Sequence, residues 1–318
     1  MFSYLFIGAI CFISSYSLTP IVINFANRRK IFDTPNHRKK HITPIPRIGG
    51  ISLIASMSIC LFILLIFLKN DFALNPLEVL TIYICYLSFF FIGIFDDLRS
   101  LSPFIRLFFQ FIISTISFYG IAKFQGFYFS LNYSNYFLPL GHNLISFFFT
   151  VIWTVGVINA INWIDGVDGL LIGLTCIYSF TFALISFLNN NYFELILSTG
   201  MLSACLGIIK YNKNPAKIML GDGGSYLIGI YLSSTILNIG QDNGIVNPFL
   251  LVSLVFIPVI DMFRVICLRI WNGFSPFYPD RKHLHYVLID NGISKKNCLL
   301  IFFFISFLFS IFNLIINL

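Results

Sequence analysis

The chain has 318 residues, of which 58% are hydrophobic and only 10% are charged, and its formal net charge is +7. A soluble domain carries roughly 25% charged residues, so this composition excludes a soluble globular protein and indicates that lipid is the solvent. The positive charge does not indicate a nucleic-acid partner, because a chain with so few charged residues has no soluble basic face to bind one.

Runs of apolar residues predict an all-α, polytopic integral membrane protein with a single transmembrane domain over residues 1–318. A helix that crosses a bilayer needs about 20 apolar residues, and runs of that length recur along the whole chain. The ten candidate spans are 1–24, 48–68, 77–95, 103–122, 143–160, 169–188, 192–210, 222–240, 247–267 and 297–317. The first is expected to be a retained span, because no small-residue cleavage site follows it.

Segment 123–142 departs from this pattern, because it is rich in Asn, Tyr, Pro and Gly. Such a composition is typical of an external loop or hairpin. A short additional span in this segment would raise the number of spans to eleven.

The basic residues predict the orientation in the membrane. Ten spans divide the loops into two sets, and 18 of the 20 Lys and Arg residues lie in or beside one set, with only Lys69 and Lys123 in the other. The positive-inside rule therefore predicts that the first set is cytoplasmic and that both termini lie outside. The predicted cytoplasmic loops, which we expect to form the active site, are 25–47, 96–102, 161–168, 211–221 and 268–296.

Acidic residues also concentrate on the predicted cytoplasmic side. Charges at span ends, next to apolar sequence, are unfavourable unless they are paired or used, so the pattern indicates a site that holds a cation and faces a charged substrate. A transporter is the alternative from another functional class, but it would place ionisable groups near the middle of the membrane on broken helices. The acidic residues on the predicted cytoplasmic side are Asp33, Asp96, Asp97, Asp165, Asp168, Asp222, Asp261, Asp280 and Asp290.

The first polar motif, DTPNHRKKHITPIPRIGG, covers residues 33–50. Its basic residues lie among prolines, which suits an ordered surface for an anionic ligand or a lipid headgroup. Arg38 and His41 are therefore candidate substrate-binding residues. The alternative is that these charges serve only to orient the protein in the membrane.

The second motif, DDLRSLSP, covers residues 96–103 and places Asp96 next to Asp97 at a helix end. Adjacent carboxylates repel each other unless a cation is present. Oxygen ligands beside a phosphate are the usual way in which a protein holds Mg²⁺. Arg106 follows one to two helical turns later, within reach of such a phosphate, whereas the alternative is a solvated helix end.

The third motif, NAINWIDGVDGL, covers residues 159–170 between two apolar spans. Asn162, Asp165 and Asp168 are spaced three apart, so they would share one face of a helical turn. Their position between two spans is difficult to explain by structure alone and favours a binding role.

The fourth motif, LGDGGS, covers residues 220–225 at the start of a predicted span. A glycine-rich turn leaves backbone N–H groups free at a helix N-terminus, where a phosphate binds well. Asp222 is a candidate metal ligand there, although an Asp that caps a helix is the simpler interpretation.

The fifth motif, SPFYPDRKHLH, covers residues 275–285. Arg281, His283 and His285 supply donors for phosphate oxygens, and a histidine also transfers protons near neutral pH. A zinc site is poorly supported, because no cysteine accompanies the two histidines.

These five motifs, in this order, resemble the polyprenyl-phosphate N-acetylhexosamine-1-phosphate transferase family (glycosyltransferase family 4), and its WecA-like bacterial branch in particular. The resemblance extends from residue 33 to residue 285. It implies transfer of a HexNAc-1-phosphate, with GlcNAc expected first, from the UDP-sugar to undecaprenyl phosphate, releasing UMP. It also implies the cofactor Mg²⁺, with Mn²⁺ as an alternative. The reaction would be the first membrane-bound step in the synthesis of a cell-surface polysaccharide, such as O-antigen, at the cytoplasmic face of the bacterial inner membrane.

The motifs and the resemblance together give a set of candidate site residues. The catalytic candidates are Asp96, Asp97, Asp165 and His283. The substrate-binding candidates are Asn162, Asp168, Arg106, Arg281, His285, His41 and Arg38. The metal candidates are Asp222 and Asp97, and one of Asp96 and Asp97 would act as the base if a base is used.

Two departures from the family pattern leave the donor sugar open. Many members have a further histidine where this chain has Tyr286, and the segment TPIPRIGG differs from the form of strict GlcNAc enzymes. UDP-GalNAc, UDP-FucNAc and UDP-QuiNAc therefore stay alternatives to UDP-GlcNAc. The sequence also leaves open whether the protein forms a homodimer.

Overall fold

The computed structural model describes residues 2–33, 44–67, 76–131, 134–239, 245–246 and 255–316. Eleven helices and five short strands occur within these ranges. The helices are α1 (Phe2–Arg29), α2 (Gly50–Phe67), α3 (Pro76–Arg99), α4 (Pro103–Gly120), α5 (Asn143–Ile164), α6 (Leu170–Leu188), α7 (Tyr192–Asn212), α8 (Gly221–Ile239), α9 (Phe256–Trp271), α10 (Leu284–Asp290) and α11 (Lys295–Ile316). The strands are β1 (Phe32–Asp33), β2 (Ile45–Pro46), β3 (Gly126–Leu131), β4 (Ser134–Pro139) and β5 (Ile245–Val246).

The predicted fold class is confirmed, since the chain is an all-α, polytopic membrane protein. Seven described helices, namely α1, α3, α4, α5, α6, α7 and α11, are long and apolar enough to cross a bilayer, and α2 is a shorter apolar helix. Large apolar side chains such as Phe6, Phe108 and Phe304 are more than half exposed on these helices. So much exposed apolar surface is stable against lipid and unstable against water. The prediction that both termini lie outside stays a prediction.

Helix α8 is the central helix of the bundle. Nearly all its residues are buried, and it packs against α2, α3, α5 and α6. At its start the helix backbones come unusually close: a Cβ atom on Gly93 of α3 would overlap the backbone of Asp222 and Gly223, and one on Gly50 of α2 would overlap that of Gly224. These glycines bring the ends of three helices together at one point.

The segment before α2 is tied to the start of α8 by backbone hydrogen bonds. Strands β1 and β2 pair antiparallel, which places Asp33 opposite Ile45. The N–H of Met219 donates to the carbonyl of Pro46, and the N–H of Gly49 donates back to the carbonyl of Met219. Arg47, which lies between Pro46 and Gly49, is therefore fixed beside the first turn of α8.

Segment 123–142 forms a hairpin, which was one of the two predicted alternatives. Strands β3 and β4 pair antiparallel, and β3 also pairs in parallel with β5. Residues 132–133, at the tip, lie outside the described residues. The described part of this segment adds no span to the count.

Three sequence-based boundaries need correction or qualification. The predicted loop 268–296 contains an additional helix, α10. Helix α5 ends at Ile164, so Asp165 and Asp168 lie in a turn that closes on Gly169 at φ +80° instead of sharing a helix face with Asn162. Of the predicted span 247–267, residues 247–254 lie outside the described residues.

We predict that Gly93→Ala destabilises the protein by about 2 kcal/mol or more, because the added methyl group meets backbone atoms that cannot yield. The measurement is thermal unfolding of the purified protein in detergent. Gly156→Ala is the matched control: Gly156 is also in a helix, but nothing lies within 4 Å of its added Cβ. The control should be neutral or slightly stabilising, since Gly costs about 1 kcal/mol relative to Ala within a helix. Equal stability of the two variants would contradict the close packing of α3 on α8.

Candidate active site

A cavity of about 340 Å³ lies where the ends of α5 and α9 meet α10 and the starts of α4, α8 and α11. All five sequence motifs contribute to it or to the shell behind it, so the described residues of these motifs meet at one end of the helices. The charged and histidine residues that line the cavity are Asp33, Arg47, Arg106, Asp165, Asp168, Asp222, Arg269, Asp280, Arg281, His283 and Lys295.

Arg47 is the centre of the charge cluster on one wall of the cavity. Its Nη2 atom donates to Oδ1 of Asp222 at 2.8 Å, and its Nε atom lies 2.8 Å from Oδ1 of Asp97. A third carboxylate, that of Asp33, lies 3.6 Å from Nη1. Burial disfavours the charge of the guanidinium, but the carboxylates of Asp222, Asp97 and Asp33 outweigh burial and raise the pKa of Arg47 above its ordinary value.

Asp97 caps helix α8 from the neighbouring helix. Its Oδ2 atom accepts hydrogen bonds from the backbone N–H of Asp222 at 2.8 Å and of Gly223 at 3.4 Å. A carboxylate is favoured at a helix N-terminus by these donors and by the helix dipole. The glycine-rich motif predicted free N–H groups for a phosphate here, but the N–H groups of Asp222 and Gly223 donate to Asp97 instead. Gly221, at φ +73°, allows this approach, since a Cβ there would overlap the Arg47 carbonyl.

Asn162 orients the carboxylate of Asp222. The amide of Asn162 donates to Oδ1 of Asp222 and to the hydroxyl of Ser225, at 2.9 Å in each case. Oδ1 of Asp222 thus accepts from both Asn162 and Arg47, which fills its two lone pairs. Asn162 is thus the member of the predicted trio (Asn162, Asp165 and Asp168) that donates a hydrogen bond to Asp222, a candidate metal ligand.

Asp96 has a different partner from its neighbour Asp97. Its Oδ2 atom accepts from Nη1 of Arg106 at 2.8 Å, and its Oδ1 atom accepts from the backbone N–H of Leu101 at 2.7 Å. The side chains of Asp96 and Asp97 are 7% and 1% exposed, so both lie behind the cavity lining. Each carboxylate of the pair is therefore neutralised by its own arginine, as the repulsion between them requires.

Asp165 and Asp168 both line the cavity from the turn between α5 and α6. Asp168 accepts a hydrogen bond from the N–H of Ala216 at 3.3 Å and lies 3.7 Å from Nζ of Lys295. Burial, followed by the charge of Asp222, raises the pKa of Asp165 to about 7. Asp165 therefore holds its negative charge less readily than an ordinary carboxylate does.

The opposite wall is held by a buried ion pair that the motifs did not single out. Arg269 of α9 is 4% exposed and forms two contacts with Asp280, at 2.9 Å and 3.1 Å, while its guanidinium lies 4.9 Å from the ring of Trp163. Burial disfavours the charge of the Asp280 carboxylate, but the hydrogen bond from Arg269 outweighs burial and holds the pKa of Asp280 below its ordinary value. This pair fixes the segment that carries the fifth motif.

His283 and Arg281 line the cavity and are each held by a carboxylate. Nδ1 of His283 lies 2.9 Å from Oδ2 of Asp261, which orients the ring. Arg281 donates to both oxygens of Asp290 and lies over the ring of Tyr286 at 4.3 Å. Both residues therefore lie on the cavity surface, and their predicted roles in catalysis and substrate binding stay predictions.

His285 is placed differently from its prediction as a substrate-binding residue. It is fully buried, does not line the cavity, and its two ring nitrogens have no hydrogen-bond partner among the described residues. Burial, followed by the nearby His283, lowers the pKa of His285 to about 3, which leaves the ring neutral. A Cβ on Gly166 would overlap this ring, so His285 supports the turn of Asp165 from behind.

Two predicted substrate-binding residues, Arg38 and His41, lie outside the described residues. Arg47, Arg269 and Lys295 line the cavity but were not predicted as site residues, and Asp33 and Asp280 were predicted only as members of the acidic group on the cytoplasmic side. Arg47 and Asp33 belong to the quoted first motif, but nothing in their spacing shows that they meet carboxylates far along the chain.

Oxygen ligands for a divalent cation are present, although no group of three His, Cys, Asp or Glu residues in the described part of the chain is close enough to hold a metal by itself. Asp97 and Asp222 lie on two sides of Arg47, and Oδ1 of Asp97 is buried without an aligned hydrogen bond. Carboxylate oxygens suit Mg²⁺, which usually takes only one or two from the protein and the rest from phosphates and water. The residues therefore fit such an ion.

Comparisons with known proteins identify the family of this chain. The family model described as glycosyl transferase family 4 matches residues 79–240. "Probable undecaprenyl-phosphate N-acetylglucosaminyl 1-phosphate transferase" of Bacillus subtilis (strain 168) is 30% identical, over 92% of this chain and 79% of the relative. "Undecaprenyl-phosphate alpha-N-acetylglucosaminyl 1-phosphate transferase" of Thermotoga maritima is 29% identical, over 95% and 87%. "Decaprenyl-phosphate N-acetylglucosaminephosphotransferase" of Mycobacterium leprae is 28% identical, over 93% and 79%. The chain therefore belongs to glycosyl transferase family 4.

Proposed function

We propose that the protein transfers an N-acetylhexosamine 1-phosphate, with GlcNAc-1-phosphate expected first, from the UDP-sugar to undecaprenyl phosphate. The products are undecaprenyl-diphospho-HexNAc and UMP. This would be the first membrane-bound step of a cell-surface polysaccharide such as O-antigen, and Mg²⁺ would be the cofactor. The names of the relatives support the reaction, but they leave the donor sugar and the polysaccharide open.

The single observation that carries this proposal is the Arg47 cluster at the edge of the cavity. Asp97 and Asp222 offer oxygen ligands to a divalent cation, and Arg47, Arg106, Arg281 and Lys295 line the same cavity. Phosphoryl transfer depends on positioning and on neutralising charge more than on covalent chemistry by the protein. A cavity with these residues, at the ends of membrane helices, is suited to joining a nucleotide diphosphate to a lipid phosphate.

The proposed reaction is balanced without a proton. An oxygen of the lipid phosphate attacks the sugar-bound phosphorus of the UDP-sugar, and the bond from that phosphorus to the oxygen of the UMP phosphate breaks. A phosphate monoester has a second pKa near 6, so the nucleophile is mostly a dianion at neutral pH. The proposed chemistry therefore needs no general base, and Asp96 and Asp97 serve to position cations.

The residues in and beside the cavity have different roles in the proposed reaction. Asp222 and Asp97 would hold Mg²⁺, which when bound neutralises phosphate oxygens and the departing charge. Asn162 keeps Asp222 in its orientation. The guanidinium groups of Arg47, Arg106 and Arg281 donate to phosphate oxygens, since arginine recognises such oxygens with two parallel hydrogen bonds.

The direct test is release of UMP by the purified protein in detergent or lipid discs, given undecaprenyl phosphate, Mg²⁺ and one UDP-sugar at a time. The panel contains UDP-GlcNAc, UDP-GalNAc, UDP-FucNAc and UDP-QuiNAc. We expect UMP and a lipid-linked sugar in equal amounts with at least one donor, most with UDP-GlcNAc. Failure with every donor would exclude the proposed reaction.

We predict that Asp222→Asn lowers kcat by about 100-fold or more, because the variant loses a charged ligand while keeping the shape of the side chain. The measurement is the UMP-release rate across a range of Mg²⁺ concentrations. Glu78→Gln is the matched control, since Glu78 is an exposed carboxylate at the start of α3, away from the cavity. A near-normal rate for Asp222→Asn at ordinary Mg²⁺ would remove Asp222 from the proposed site.

We also propose that the cavity faces the cytoplasm from the inner membrane, because the basic residues gather on that side. Asn189 and Asn291 offer a matched pair of probes, since both are exposed, end a helix and have similar backbone angles. In a Cys267→Ser background, which removes the exposed cysteine, we expect Asn189→Cys to react with an impermeant thiol reagent in intact cells. Asn291→Cys should react only after permeabilisation. The reverse pattern would invert the topology.

A further inference from the structure

Arg47 fills the place between two carboxylates that the proposed function assigns to a metal. Its guanidinium contacts Asp97 and Asp222 at 2.8 Å each, with Asp33 at 3.6 Å. In the sequence, Arg47 is one of seven basic residues in and beside the first predicted cytoplasmic loop. Its position shows that the protein carries its own counter-cation at this site.

The guanidinium and a divalent cation need the same oxygen atoms. Oδ1 of Asp222 already accepts from both Arg47 and Asn162, and Oδ1 of Asp97 faces Nε of Arg47. A dication on these oxygens would stand within a few ångströms of a guanidinium charge, at a largely buried site where repulsion is weakly screened. The Arg47 guanidinium and a divalent cation therefore cannot contact these carboxylate oxygens at the same time.

We propose that Arg47 exchanges partners during the reaction cycle: it neutralises Asp97 and Asp222 when no metal is bound, and it binds the diphosphate of the donor when a divalent cation takes its place. This inference rests on the proposed function, because it gives the released guanidinium the nucleotide as its partner. It makes Arg47 a substrate-binding residue that also sets the metal affinity of the free protein.

The geometry allows this exchange without movement of the backbone. Hydrogen bonds to Met219 fix the chain on both sides of Arg47, whereas its side chain is 31% exposed and lines the cavity. By contrast, Arg269 is 4% exposed and forms two contacts with Asp280, as a structural arginine does. The planar fork of a guanidinium suits a diphosphate as well as a carboxylate.

The experiment compares wild-type protein with Arg47→Gln in two binding measurements that need no turnover. Mn²⁺ binding to the nucleotide-free protein is followed by the electron paramagnetic resonance signal of free Mn²⁺. UDP binding is followed by calorimetry at saturating Mg²⁺. We expect Arg47→Gln to bind Mn²⁺ about tenfold more tightly and UDP about tenfold more weakly, changes of 1.4 kcal/mol each.

Tighter Mn²⁺ binding together with weaker UDP binding would distinguish the exchange of partners from a role of Arg47 in only one of these two interactions. If Mn²⁺ affinity is unchanged or weaker, Arg47 does not compete with the metal and the proposal is wrong. If UDP affinity is unchanged, or if the wild type binds no UDP, the second half is wrong. Arg99→Gln, which removes an exposed arginine from the end of α3, is the matched control and should alter neither affinity.

A second variant keeps the test informative if Arg47→Gln does not fold. Arg47→Lys retains the positive charge but loses the fork, so it should shift both affinities in the same directions by a smaller factor. The proposed function is tested separately by UMP release. If no donor releases UMP although both changes in binding are observed, the proposed function is wrong and the exchange of partners is not.

Discussion

The ion pairs of Arg47 with Asp97 and Asp222 hold together parts of the chain that are as much as 175 residues apart. Carboxylates buried at the ends of apolar helices are tolerated only when a cation and hydrogen-bond donors compensate them, and removing one partner of such a pair is strongly destabilising. In this protein the compensation comes from a segment outside the helical bundle. Backbone hydrogen bonds to Met219 fix the position of that segment, and this places the guanidinium beside the carboxylates that it neutralises.

At the start of α8, the contacts that pack the helices together also position the carboxylates of the cavity. The close approach of α3 at Gly93 brings Asp97 to the N-terminus of α8, where one of its oxygens caps the helix and the other faces Arg47. Asp222, one residue into the helix, is held by Asn162 of α5. The carboxylates are thus positioned by the packing of helices, which hold functional groups more precisely than loops do.

Much of this arrangement could be predicted from the sequence, because length and apolarity determine which segments cross a bilayer and because five polar motifs recur at span ends. The family, the fold class and the gathering of Asn162, Asp165, Asp222 and His283 in one place followed from those signals. The role of Arg47 could not be predicted, because a basic residue near a span end also serves topology and its partners lie far along the chain. The burial of His285 behind Gly166 likewise depends on tertiary packing.

The arginines around the cavity differ in how firmly they are held, and this difference suits a site whose ligands are anions. Arg269 is buried and bound through two contacts, so it maintains the wall. Arg47 and Arg106 have side chains 31% and 27% exposed and bind each carboxylate through a single short contact. In the proposed exchange, Arg47 neutralises the carboxylates of an empty site and binds the phosphates of a filled one. Charge can then be redistributed within the cavity while the helices stay in place.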